Sequence, residues 1–232
     1  MLTIGMLGGM SWESSAQYYR LANEMVRERL GGLHSARCVL VSLDFAEVER
    51  LQSAGEWAKA GLLLAEAAQR VEAAGADLLL LCTNTMHRVA AEVEAAVGIP
   101  LIHLADATAA AVLAAGVRTV GLLGTAFTME QSFYRDRLAS HGLDIRVPSA
   151  EDRALVHRII YEELCVGRVL ASSRQQYRGV IERLVTDGAE GAILGCTEIE
   201  LLIGAGDSPV PVFPTTRLHV AAAVERALIA SG

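Results

Sequence analysis

Short apolar runs alternate along the chain with longer stretches in which apolar positions recur every three or four residues. This is the signature of strands handing over to amphipathic helices. "LTIGMLGG", near the start, reads as a strand, and residues 12–30 as the helix that follows it. "ARCVLVSLDF" predicts a second strand and residues 57–74 a further helix. "ADLLLLC" predicts a third strand, and its unbroken leucines mark it as buried on both faces. A helix over residues 85–97 and a strand in "IPLIHL" complete this half. Strands and helices alternating in this way predict an α/β fold with parallel sheets.

The pattern then begins again. "TIGMLGG" is answered by "TVGLLGT", "AGADLLLLCTNT" by "DGAEGAILGCTE", and "IPLIHLADATAAAV" by "VPVFPTTRLHVAAAV". The offsets are 116 from Gly5 to Gly121, 113 from Gly75 to Gly188, and 111 from Pro100 to Pro211. All βα units look somewhat alike, but matched Cys-Thr neighbourhoods in the same order argue for a true repeat. It predicts two pseudo-symmetric, Rossmann-like α/β domains, not a solenoid. The expected first domain is residues 1–103 plus 214–232, and the second is 104–213. Open parallel sheets bind ligands beyond the carboxyl ends of their strands, so two facing halves would enclose a cleft holding the active site.

Composition narrows the chemistry. A formal net charge of −7 disfavours a nucleic-acid partner, which wants a basic stripe. No apolar run reaches the roughly 18 residues of a membrane helix. The chain enters a strand pattern without a charged leader, so a cytoplasmic protein is expected. The four cysteines and six histidines form no C-x-x-C or H-x-x-x-H, so no metal site is expected. The one lysine, Lys59, lies in a helical pattern as a solvated residue. A pyridoxal-phosphate enzyme needs a lysine buried against its cofactor.

The repeat aligns Thr83 with Cys196, Asn84 with Thr197 and Thr85 with Glu198. A cysteine between a strand end and a helix lies near backbone N–H groups and the positive end of the helix dipole. The thiol pKa at Cys196 is therefore expected to fall from about 8.5 toward neutrality. A threonine hydroxyl is too weakly acidic to ionise unaided.

"LGGMS" after the first strand, "NTMH" after the third, "GTAFTMEQSFY" in the second half and "GCTE" near the end occur together in this order. With these four motifs the chain resembles the aspartate/glutamate racemase family over essentially its whole length. The resemblance implies a cofactor-independent racemase acting on a small free amino acid, with a homodimer as the expected assembly. It implies two acid/base groups on opposite faces of the substrate's Cα, carried here onto Cys196 and Thr83. Asn84, Thr85, Thr125 and Thr197 would grip the α-carboxylate, and Met10 would border the pocket. Glu198 would either bind the ammonium group or cap a helix. Hydantoin racemases and arylmalonate decarboxylases, which share the fold, fit the motifs less well.

The chain departs from the family pattern at several points. Where other members carry the first catalytic cysteine, immediately before the Asn-Thr pair, this chain has Thr83, with Cys82 one place earlier. Alternation along the strand would turn Cys82 into the core and Thr83 outward. Chemistry is then expected to be asymmetric, with Cys196 as base and Thr83 donating or relaying a proton. Cys165 and Gln52 stand where cations suited to a side-chain carboxylate are common in the family. Aspartate and glutamate lead as substrates, with a polar neutral amino acid such as homoserine as the alternative. A binding protein that has lost catalysis is the alternative of another class. The "FPTT" segment, with Pro214 in place of an aspartate, is assigned no role.

Overall fold

A strand with apolar side chains on both faces is stable only between two covering layers, and each sheet here is built that way. The computed structural model describes residues 1–229. It divides the chain into one unit formed by Met1–Leu104 with residues 219–229, and another formed by Ala105–Leu218.

In the first unit, β1 (Ile4–Gly8), β2 (Cys38–Ser42) and β3 (Leu78–Leu81) make a parallel sheet of order β2-β1-β3. Helix α1 (Trp12–Leu30) follows β1, with Ser11 as its N-cap accepting the Ser14 N–H. Helices α2 (Phe45–Ser53) and α3 (Trp57–Ala73) follow β2, and α4 (Ala90–Ala96) follows β3. One face of the sheet packs Ile4, Met6, Leu78 and Leu80 against Tyr18, Leu21 and Val26 of α1 and Val220 and Val224 near the C-terminus. The other face packs Leu7, Leu79 and Leu81 against Leu64, Ala68 and Val71 of α3.

Three expectations are corrected here. The "ARCVLVSLDF" strand stops at Ser42, because Asp44 accepts the Ala46 N–H and starts α2 at Phe45. The "IPLIHL" strand is reduced to a bridge from Leu101 to Leu79, because Pro100 lacks an N–H and the next helix, α5 (Leu104–Ala114), begins three residues later. The helix expected over residues 85–97 opens as a tight 3-10 turn, Thr85–Val89, before α4. Here the His87 ring takes the Thr83 carbonyl at 2.8 Å. The His87 backbone N–H bonds Asn84 O, three residues back and not four, at 3.1 Å.

The second unit repeats the plan. After α5 come β4 (Thr119–Gly124), α6 (Ala126–Glu130), α7 (Ser132–Ser140), β5 (Asp144–Arg146), α8 (Ala150–Glu162) and α9 (Ala171–Thr186). Then follow β6 (Gly191–Gly195), α10 (Ile199–Leu202), β7 (Val212–Pro214) and the start of α11 (Thr215–Ile229), whose residues from His219 on belong to the first unit. The sheet is parallel, of order β5-β4-β6-β7. Leu7 pairs with Leu81 in the first sheet and Leu123 with Leu194 in the second, the register that the sequence offsets require. The bridge of Leu79 to Leu101 corresponds to the rung of Ala192 with Val212.

The β1–α1 turn depends on the absence of a side chain at Gly9. Its φ is +85°, and an added Cβ would overlap the Leu43 backbone, whose N–H bonds the Gly8 carbonyl at 3.0 Å. Gly167, after the short turn Leu164–Val166, is left-handed (φ +73°, ψ 16°), yet nothing lies within 4 Å of its Cβ position. Gly167→Ala should therefore cost about 1 kcal/mol, from backbone strain alone. Gly9→Ala should cost at least about 3 kcal/mol, adding overlap to strain. Urea denaturation of both variants measures the difference, and equal losses would contradict the close approach of Leu43.

Candidate functional site

Side chains on a strand alternate between faces, and this alternation decides what β3 and β6 present at their carboxyl ends. Leu78 and Leu80 face the α1 side, and Cys82, just past the strand, joins the same apolar cluster with no exposed surface. Leu79 and Leu81 face α3. Thr83, past the end of the strand, is half-buried. In the second unit Ala192, Leu194 and Cys196 share one cluster, and the repeat offset of 113 matches Cys196 to Thr83. Cys82 is a core thiol, its pKa pushed far up by burial.

At the end of β3 nearly every backbone group is fixed. Cys82 N–H bonds Leu7 O at 2.9 Å, and the Ser14 hydroxyl donates to Cys82 O at 3.0 Å. Thr83 N–H bonds Leu81 O at 2.8 Å. Asn84 and Thr85 are buried at the start of the 3-10 turn. Met10 is buried in the α3-side cluster together with Met86. Gln52 is buried as well, and its side-chain Nε2 donates to the Met86 sulfur at 2.8 Å. A thioether only accepts, so this bond fixes which end of the amide points at the sulfur.

At the end of β6 the Cys196 thiol donates to Glu198 Oε2 at 2.9 Å. Glu198 stands at the N-cap position of α10, yet its side chain makes no cap hydrogen bond. Thr197 Oγ1 accepts from the Thr216 hydroxyl at 2.8 Å. Thr125, at the end of the neighbouring strand β4, caps α6 by accepting the Thr128 N–H. Gly124 and Gly195 pair across the sheet, which sets Thr125 and Cys196 at adjacent strand ends. Cys165, in the turn Leu164–Val166, packs against the cluster that holds Cys196.

The Cys196 pKa corrects an expectation. It lies well above the ordinary thiol value, first because of burial, then because of the Glu198 charge, with Cys165 and the Glu198 hydrogen bond adding to the rise. The helix expected to stabilise a thiolate is α10, only four residues long, and its few aligned peptides cannot offset a buried carboxylate beside the sulfur. Cys196 is a neutral thiol hydrogen-bonded to the Glu198 side chain.

Two residues that the sequence reading left unassigned tie these junctions together. Thr216, in the segment given no role, bonds Thr197 and also donates its N–H to Glu200 Oε1 at 2.9 Å. Glu200 is the repeat counterpart of His87, and burial raises its pKa to about 7. Lys59 lies on the surface, paired with Glu56 at 2.9 Å. Among the described residues, no group of three or more His, Cys, Asp or Glu is placed to hold a metal. Nor is any helix there long and apolar enough to cross a membrane.

Two predictions follow from these charges. Glu198→Gln removes the charge beside the sulfur. Alkylation of Cys196 by iodoacetamide at pH 8, followed by peptide mass spectrometry, should then accelerate by roughly three- to tenfold. Cys82 should stay unreactive in both proteins. Glu200 binds its proton more tightly folded than unfolded, so its contribution to stability declines as pH rises from about 4.5 to about 7. Glu200→Gln keeps an acceptor for the Thr216 N–H and removes that decline. Relative to the unsubstituted protein, it should gain on the order of 2 kcal/mol between pH 5 and pH 8 in urea titrations.

Known proteins share this fold. The sequence profile of the Asp/Glu/hydantoin racemase family matches residues 7–223. The structure is similar to that of a candidate Asp/Glu racemase from Yersinia pestis, 52% identical, with a TM-score of 0.92 over 98% of this chain and 100% of that one. It is also similar to an aspartate racemase homologue from Pyrococcus horikoshii OT3, 35% identical, with a TM-score of 0.87 over 98% of this chain and 100% of that one. The aspartate racemase of Picrophilus torridus, 19% identical, shares the fold at a TM-score of 0.81 over 98% of this chain and 94% of that one. The chain belongs to the Asp/Glu/hydantoin racemase family, a family of isomerases.

Proposed function

We propose that the protein racemises a small free amino acid without a cofactor, using Cys196 on one face of the substrate's Cα and Thr83 on the other. The observation that carries this reading is the thiol–carboxylate pair of Cys196 and Glu198 at the end of β6, in a chain of this family. A neutral thiol becomes a base only by losing its proton, and Glu198 Oε2 accepts that proton along an existing hydrogen bond. The thiolate then removes the Cα proton. The electron pair left on carbon needs preorganised donors, a task for Asn84, Thr85, Thr125 and Thr197 at the α-carboxylate. A water proton relayed through the Thr83 hydroxyl reaches the opposite face, and the sulfur keeps the proton taken from Cα and is a thiol again. Glu198 gives its proton to the hydroxide left in solvent, restoring the carboxylate. General acid and base thus act in turn.

Aspartate and glutamate lead as substrates because relatives carry those names. The second reading, a polar neutral amino acid such as homoserine, is favoured by Gln52, an uncharged amide tethered to Met86. The expected homodimer is supported by Tyr19, Leu30 and Leu33, exposed apolar side chains lining adjoining surface hollows of the first unit.

Deuterium exchange at Cα, followed by NMR in D2O over both enantiomers of aspartate, glutamate and homoserine, tests the proposal. Cys196→Ala should abolish exchange, Cys82→Ala should stay within about twofold of the unsubstituted rate, and Thr83→Cys should speed inversion. Undiminished exchange in Cys196→Ala rejects the assignment of the base. Binding without any exchange in the unsubstituted protein replaces the racemase with a binding protein.

A further inference from the structure

The proposed role of Thr83 leaves open how a residue just outside its strand holds a hydroxyl in one direction. Threonine is β-branched and stiff at χ1, so the direction of its hydroxyl follows the orientation of its backbone. That backbone is fixed on its N-terminal side by the bond from Thr83 N–H to Leu81 O at 2.8 Å. On its C-terminal side, His87 Nδ1 lies 2.8 Å from Thr83 O. The other ring nitrogen, Nε2, accepts the Leu104 N–H at 3.2 Å. A nitrogen that accepts carries no proton in a neutral ring, so the proton sits on Nδ1 and is donated to the Thr83 carbonyl.

The ring is locked from other sides as well. His87 is buried, and the His103 and His219 rings lie at centroid distances of 4.6 and 5.7 Å. His219 is itself held, bonding Tyr18 Oη through Nδ1 at 2.8 Å and Ile102 O through Nε2 at 2.6 Å. Burial and these neighbours hold the His87 pKa well below the usual imidazole value, so the ring stays neutral and keeps one tautomer.

The repeat supplies an independent comparison. Glu200, at the matching position, also accepts a backbone N–H from the start of the helix after the fourth strand position, Thr216 in α11 where His87 takes Leu104 in α5. Tying that junction is common to both units, and a carboxylate performs it as well as an imidazole. In its ionised form, which takes over above about pH 7, that carboxylate has no proton to give a carbonyl, whereas a neutral imidazole keeps one on Nδ1. The donor toward Thr83 O is the property that histidine adds.

From this geometry we infer that His87 is a positioning residue for proton return: its Nδ1–H fixes the Thr83 carbonyl and thereby aims the Thr83 hydroxyl. The inference rests on the racemase reading and assigns His87 no proton transfer of its own. Its loss should disturb one face of the substrate and spare the other. Exchange with retention of configuration needs only the thiol face, whereas inversion needs both.

The test compares His87→Ala, His87→Asn and His87→Gln with the unsubstituted protein. It measures solvent-deuterium incorporation with and without inversion, on both enantiomers of aspartate, glutamate and homoserine, together with thermal unfolding. The Asn amide places an N–H where Nδ1–H was, and the Gln amide oxygen reaches the Nε2 position. Each conservative variant therefore keeps one of the two hydrogen bonds. His87→Ala and His87→Gln should lose at least about tenfold in inversion while exchange with retention stays within about twofold. His87→Asn should hold inversion within about threefold of the unsubstituted protein, although it unfolds no later than His87→Gln. Inversion that persists in His87→Ala, falls in step with retention exchange, or is rescued better by Gln than by Asn overturns the inference alone. Absence of inversion in the unsubstituted protein overturns the racemase reading and this inference together.

Discussion

A side chain on a strand buried between two layers can point only to one layer or the other, and most of what matters here follows from that restriction. It sends Cys82 into the core beside Leu80 and leaves Thr83, past the strand's end, half-buried. In the second unit it sends Cys196 to the same side as Leu194. A register slip of one residue in either sheet would exchange these roles. The register is secured by parallel pairing of β3 and β6 with central strands whose apolar residues are themselves buried.

Alternation fixes direction but not reactivity. The cysteine at the end of β6 and the threonine at the end of β3 are equivalent in position and very different in electrostatics. The thiol lies in apolar packing beside a carboxylate, which keeps it protonated. The hydroxyl lies on a backbone tied by a neutral imidazole. The equivalent helix starts are tied to their neighbours by an imidazole in one unit and a carboxylate in the other, so the repeat preserves connectivity while its chemistry diverges.

Much of this was readable in the chain, because the signals are local. The leucine run of β3, the apolar spacing of α1 and the matched glycines and prolines gave strands, helix and repeat with little ambiguity. The preference for Cys82 as a core thiol needed only the two-residue period. What sequence did not disclose depends on where side chains meet. The thiol pKa turned on the orientation of Glu198 and the shortness of α10. The partners of Thr216 lie about twenty residues away, and those of His87 include a backbone group seventeen positions on. The tether from Gln52 to Met86 joins segments separated by 34 positions. No periodicity encodes such meetings.

The loop from Cys196 to Glu200 gathers three acids within five residues, and the Glu198 charge adds to the rise that burial gives both the thiol and the Glu200 carboxyl. Below about pH 7 such a segment resists taking on further negative charge. Whatever brings a cation close to it lowers that resistance and sets a proton loose, so its ionisation is governed by what binds as much as by the pH of the medium.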